Sequence, residues 1–303
     1  MTSNADLGEL MKKNNSGLSR STQRTYASLL RNLYYKTTGN DKKEPIDIEW
    51  YRNEDAVLDA TKDIPSNIRK TYLSALIALV GKENATKYKQ EMIKDVQKYD
   101  EWVKKQEMTA KQKESWKDFE EVQKMVKEYE EKAKKIMKEE DITKADRKIL
   151  VDWMILALTT GYYFPPRRSM DHFLMKFRNF ERSTDNFIDK TNFVFNQYKT
   201  SKTYNQQTLE IPRSFKILLN KYIKTIPEGI DTLLYDTQNK PLYAVKITQR
   251  LNRIFGTKIS VSMLRHIYLS SRLKDIPRIS ELDGLARDMG HSREMQLEYI
   301  KHE

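Results

Sequence analysis

Residues 260–273, SVSMLRHIYLSSRL, and 289–303, MGHSREMQLEYIKHE, gather an Arg-His pair (Arg265, His266), a Gly-His-Ser (Gly290, His291, Ser292) and a tyrosine eight residues past that histidine (Tyr299) into one C-terminal run. Arginine holds phosphate oxygens through a planar fork, and tyrosine offers an oxygen nucleophile. Breaking a phosphodiester without metal needs such a nucleophile, cations where negative charge builds, and a proton donor for the leaving oxygen. Each part alone also has an ordinary structural reading: an arginine satisfied by a helix end, a turn, a surface tyrosine. The rest of the chain must therefore supply the missing partners.

Composition narrows the classes. The 303 residues carry 55 Lys and Arg against 43 Asp and Glu, a formal net charge of +12, so the surface field attracts polyanions, with nucleic acid the natural partner. No apolar run approaches the roughly 20 residues of a spanning helix, and MTSNADLGEL lacks a signal-peptide core. These features predict a soluble, intracellular protein with no membrane partner. With no cysteine, disulfides, thiolate metal sites and cysteine nucleophiles are excluded. The four histidines (His172, His266, His291, His302) lack metal-binding spacing, and no cofactor or metal is expected.

Taken in order, residues 1–17 are polar and predicted to be disordered. LSRSTQRTYASLLRNLYYK then puts Tyr26, Leu29, Leu30, Leu33 and Tyr34 at helical spacing, with Arg20, Arg24 and Arg31 on the other face. A basic face opposite an apolar one suits a helix laid against phosphates and equally a solvated surface. Short helices follow near Asp55–Asp59, after Pro65 with a stripe of Ile68, Tyr72, Ala75, Leu76 and Leu79, and from Asn84 to Tyr99. Residues 18–100 thus read as a compact four-helix unit. Residues 101–142 read as amphipathic linker helices, with Trp116, Phe119, Val122, Val126, Tyr129, Ala133 and Ile136 in one stripe that packs on the next domain. Residues 143–303 form the second domain, which Thr143 and Asp146 open with a capping start.

The helix KILVDWMILALTTG delivers GYYFPPRRSMDHF: Gly161 and Pro165-Pro166 stop it, and Arg167 and Arg168 leave the turn. FVFNQYKTSKTYNQQTLEIP then reads as two strands around a polar turn holding Lys199 and Lys202. SFKILLNKYIKTIP and AVKITQRLNRIFG read as helices flanking a small hairpin in LLYDTQNKPL.

These boxes together resemble the tyrosine recombinase (phage integrase) family, whose C-terminal motif runs roughly LRH, GH, Tyr; the PPRR wording is most similar to recombinase-like proteins of large DNA viruses. The resemblance implies a mainly α (α+β) fold, with a helical N-terminal core-binding domain and a catalytic domain holding a small antiparallel sheet. It implies Arg168 as the first catalytic arginine, with Arg167 the alternative and Asp171 in place of the usual Glu to fix the fork. Lys199 becomes the acid for the leaving 5′-oxygen, with Lys202 its rival. Arg265 becomes the second arginine, His291 the phosphate-binding histidine and Tyr299 the nucleophile. Arg20, Arg24, Arg31, Lys202 and Ser262 are candidate DNA contacts. Ser262 stands where relatives often carry histidine, and a hydroxyl can donate to phosphate but cannot hold positive charge.

The function so implied is site-specific recombination or integration on double-stranded DNA through a 3′-phosphotyrosine. The rivals are a type IB topoisomerase and a DNA-binding protein with a decayed active site. Four residues follow Tyr299, so a monomer that assembles on DNA is expected.

Overall fold

The computed structural model describes residues 4–289 and Ser292. It is mainly helical with one three-stranded antiparallel sheet, as the sequence predicts. The described residues form two compact units, one running to Glu107 and resuming at Pro277, the other spanning Met108–Ile276.

The first unit opens with α1 (Asn4–Asn14), where disorder was expected. The polar composition concealed Leu7 and Met11, four apart on one helical face and both fully buried. Asn14 Nδ2 then donates to the carbonyl of Leu79 at 2.6 Å. The second helix, α2 (Arg20–Thr38), is capped by Ser19, whose hydroxyl accepts from the Thr22 amide, and ends at Gly39 in the left-handed region. Leu30, Leu33 and Tyr34 carry its buried face. Next come α3 (Glu54–Thr61), α4 (Ser66–Val80) and α5 (Thr86–Lys104). On α4 the predicted stripe is rotated: Leu73, Ala75, Leu76, Ala78 and Leu79 are buried, while Ile68 is exposed and Tyr72 half-buried. Two tyrosines satisfy their hydroxyls inside this core, Tyr51 on the carbonyl of Leu30 and Tyr88 on that of Tyr51. Fully buried Asp95 accepts twice from Arg69, at 2.7 and 2.8 Å. This unit is completed by α14 (Ile279–Asp288). The Ile279 amide donates to Gln106 Oε1 at 2.8 Å, and Asp283 pairs with Lys104 at 2.8 Å. Residues 277–289 thus belong to the same compact unit as the N-terminal helices.

In the second unit, α6 (Ala110–Ser115) and α7 (Phe119–Ile136) precede α8 (Lys144–Thr159). The expected stripe on α7 packs inward: Val122, Val126, Ala133 and Ile136 are buried in the same core as α8. Thr143 and Asp146 form the predicted capping box. From Leu150 to Thr159 every residue of α8 is buried, the mark of a central helix surrounded on all sides. The chain continues through α9 (Ser169–Phe173), β1 (Phe187–Asp189), β2 (Asn192–Phe195), α10 (Ser201–Tyr204) and β3 (Gln207–Glu210). β2 lies between the other two strands, pairing Phe187 with Val194 and Phe193 with Leu209. It closes with α11 (Arg213–Thr225), α12 (Ala244–Phe255) and α13 (Val261–Arg272). The hairpin expected in residues 233–242 is reduced to one bridge, Tyr235 to Pro241. Buried Asp152 of α8 pins α12, accepting from Arg250 at 2.9 Å and Arg253 at 2.5 Å. No helix among the described residues is long and apolar enough to cross a membrane.

Candidate active site

The end of α8 is drawn inward by its own hydroxyls: Thr159 and Thr160 donate to the carbonyls of Ile155 and Leu156, each at 2.7 Å. Gly161 follows with φ +86, and a Cβ there would stand 2.2 Å from the ring of Tyr268 on α13. Only glycine tolerates both that backbone and that approach. The close packing brings the turn after α8 against the helix that carries Arg265.

Two arginines leave this turn in different states. Arg167 is held by protein: Nε donates to Asp171 Oδ2 at 2.9 Å, a terminal nitrogen donates to Gln207 Oε1 at 3.0 Å, and the guanidinium lies 4.1 Å from the ring centroid of Phe195 and 5.3 Å from that of Tyr198. Arg168, the N-cap residue of α9, is exposed, and among the described residues its side chain donates to no protein acceptor. The acid was expected to orient the fork of Arg168, but it binds that of Arg167, because its reach at four residues suits the inward-turned neighbour.

Arg265 completes the group. It is half-buried on α13, one helical turn after exposed Ser262, and also lacks a protein acceptor among the described residues. Burial lowers its pKa, the nearby charge of Arg168 lowers it further, and Asp171 opposes both. Burial raises the pKa of Asp171, against the pull of Arg167, Arg168 and Arg265. Three guanidinium groups thus face one desolvated carboxylate, whose Oδ1 accepts no hydrogen bond. Such a cluster carries an uncompensated positive field, which a phosphate between Arg168 and Arg265 would relieve. Beneath it His172 is fully buried among Phe164, Phe193 and Phe195, and neither ring nitrogen has a partner.

The lysine turn differs from the expected plain hairpin, because α10 interrupts it between β2 and β3. Tyr198 is buried at the start of the turn, and its hydroxyl closes the excursion by donating to the Asn205 carbonyl at 2.5 Å. Lys199 and Lys202 are both exposed, and among the described residues no hydrogen bond joins either to the arginine pair. His291 and Tyr299 lie outside the described residues. Of the candidates on α2, Arg20 and Arg24 are exposed, whereas Arg31 donates to the Lys42 carbonyl at 2.8 Å and stacks over Tyr35. Sequence reasoning missed the Arg167 anchorage. Only the i,i+4 spacing of Arg167 and Asp171 signalled it, since Gln207 lies 40 residues away. Among the described residues, no group of His, Asp and Glu could hold a metal ion.

No protein-family model matches the chain, and no curated protein matches it. Among solved structures it is similar to a lambda integrase (75–356) dimer bound to a COC′ core site, with TM-score 0.43 and 18% identity over 98% of this chain and 97% of that one. It is similar to XerA recombinase, with TM-score 0.34 and 13% identity over 98% and 94%. A further lambda integrase dimer bound to a COC′ core site gives TM-score 0.43 and 17% identity over 94% of this chain and 73% of that one.

Proposed function

We propose that the chain is a DNA strand-transfer enzyme of the tyrosine recombinase kind, acting on double-stranded DNA. The observation that carries the reading is the pairing of Arg168 and Arg265 beside Asp171, both guanidinium groups without a protein acceptor among the described residues. In the reaction so read, Tyr299 Oη bonds to phosphorus and loses its proton to water while the P–O5′ bond breaks. Lys199 gives a proton to the departing 5′-oxygen, and Arg168, Arg265 and His291 hold the non-bridging oxygens as charge builds on them. The free 5′-hydroxyl of a partner strand then attacks the phosphotyrosine, restoring a phosphodiester and releasing Tyr299. Bond energy is kept in the covalent link, so the chemistry balances without a nucleotide.

Trapping tests this. The protein is incubated with DNA pools carrying nicks, where the short downstream piece diffuses away, and then resolved under denaturing conditions. A protein–DNA adduct that disappears on protease treatment is the expected result. Retarded complexes in native gels with no adduct would instead mark a DNA-binding protein without strand-transfer activity.

A further inference from the structure

Arg167 stands beside the proposed phosphate site, yet its guanidinium is engaged with protein through Nε, one terminal nitrogen and its flat face. It bonds Asp171 on α9, bonds Gln207 at the start of β3, and stacks on Phe195 at the end of β2 and on Tyr198 in the turn. Phe195 and Gln207 are themselves the register pair that closes the sheet below the lysine excursion. Tyr198, directly before Lys199, closes that excursion through Asn205. One planar cation therefore touches both strands flanking the excursion, its first anchored residue, and the acid next to Arg168. Among the described residues, Arg168 itself makes no hydrogen bond or ring stacking with the excursion.

We infer that Arg167 is a positioning residue, which holds the Lys199 turn in place relative to Arg168 and Arg265 and so sets where the leaving oxygen receives its proton. This rests on the strand-transfer reading given above. It assigns the two adjacent arginines separate work: Arg168 faces phosphate, and Arg167 aligns the proton donor. A lysine at position 167 would keep the charge but lose the two-edged fork and the flat stacking face.

The decisive experiment compares two versions of a DNA duplex that the wild-type chain cleaves, one all-oxygen and one with sulfur replacing the bridging 5′-oxygen at the scissile phosphate. A thiolate leaves without being protonated, because a thiol is far more acidic than an alcohol. Arg167→Ala and Arg167→Lys should each slow adduct formation on the oxygen substrate by on the order of 10²-fold, the low end for a general acid. Both should cleave the sulfur substrate within a few-fold of wild type, as should Lys199→Ala. Arg168→Ala should be slow on both. If Arg167→Ala is equally slow on both substrates, Arg167 acts on the phosphate or on the fold, and the inference fails.

Hydrogen exchange gives a readout independent of activity. Arg167→Lys and Gln207→Ala should raise amide exchange across residues 196–206 while leaving α8 unchanged. Unaltered exchange in both variants would overturn the coupling even if both were slow enzymes. Should wild type form no adduct on either substrate, the strand-transfer reading fails, and the exchange data alone decide whether Arg167 holds the turn.

Discussion

Gly161 and Tyr268 are in mutual steric contact: the glycine's missing Cβ is the space the tyrosine ring occupies, 2.2 Å from where that atom would lie. The contact joins the end of α8 to α13 and so fixes the spacing between the two arginine-bearing segments. Gly161→Ala should destabilise the protein by roughly 2–5 kcal/mol, combining backbone strain at φ +86 with overpacking. Adding Tyr268→Ala should recover the overlap but not the strain. Denaturant midpoints of the two variants check this, and a fully additive pair of losses would contradict it.

Replacing Arg168 or Arg265 by alanine should slow adduct formation by about 10²–10³-fold, the effect of removing one preorganised donor from a charge-stabilising site. DNA affinity should change little, because many other Lys and Arg side chains are available to meet a phosphate backbone. Single-turnover cleavage and fluorescence anisotropy on the same DNA separate the two effects. Comparable losses in both would reassign the pair to binding.

Tyr299→Phe should abolish the adduct and leave DNA affinity near wild type. Tyr268→Phe should retain it: that ring packs against Gly161 and meets Phe119 edge-on at 5.7 Å. Mass spectrometry of the DNA-linked peptide identifies the attacking tyrosine directly.

How much of this was legible beforehand follows from the range of the interactions. The helices α2 and α7 announced themselves through local periodicity, and α8 through its capping start. The turn after α8 did so through its Gly and Pro residues, whereas Arg168 and Arg265 were named from motif order. The Lys199 excursion was placed but not shaped: the helical turn α10 depends on Tyr198 reaching Asn205, and periodicity over four residues carries no such signal. Arg167 was visible only as the competitor of Arg168, since its partners Gln207 and Phe195 meet it through tertiary structure. The face of α4 was misjudged because a helix this apolar offers several stripes, and packing selects among them. α1 was lost to composition, where two buried side chains outweigh a polar average.

His172 supplies a pH test. Its burial among aromatic rings, with Arg167 nearby, depresses its pKa from 6.5 to about 3. The unfolded imidazole therefore takes up a proton as pH falls below about 6.5 while the folded one does not. The stability tied to neutral His172 is complete above that pH and is lost on acidification toward about 3, by about 1.4 kcal/mol per unit. Asp171, raised by burial, contributes with the opposite sign, so the comparison must be between His172→Phe and wild type. The variant's stability should fall less steeply between pH 6 and 3 by about that slope. Parallel curves would show that His172 is protonated or hydrated in the folded state.

Asp152→Ala should cost about 3–5 kcal/mol, since removing one member of a buried ion pair leaves its partners uncompensated. Arg250 loses its carboxylate partner while only 12% exposed. Thermal unfolding of Asp152→Ala beside Arg253→Ala checks this: Arg253 is half-exposed, and its loss should be much the milder of the two.

The first unit is built from stretches that synthesis separates widely. Ile279 meets Gln106 across 173 residues of chain. On the ribosome, the end of α5 waits for its α14 partner until the whole of Met108–Ile276 has been made. The later-encoded unit can therefore complete its core while the earlier one is still short of a helix. A single protease cut anywhere between Glu107 and Pro277 would leave the halves of the first unit with no covalent path between them, held only by noncovalent contacts.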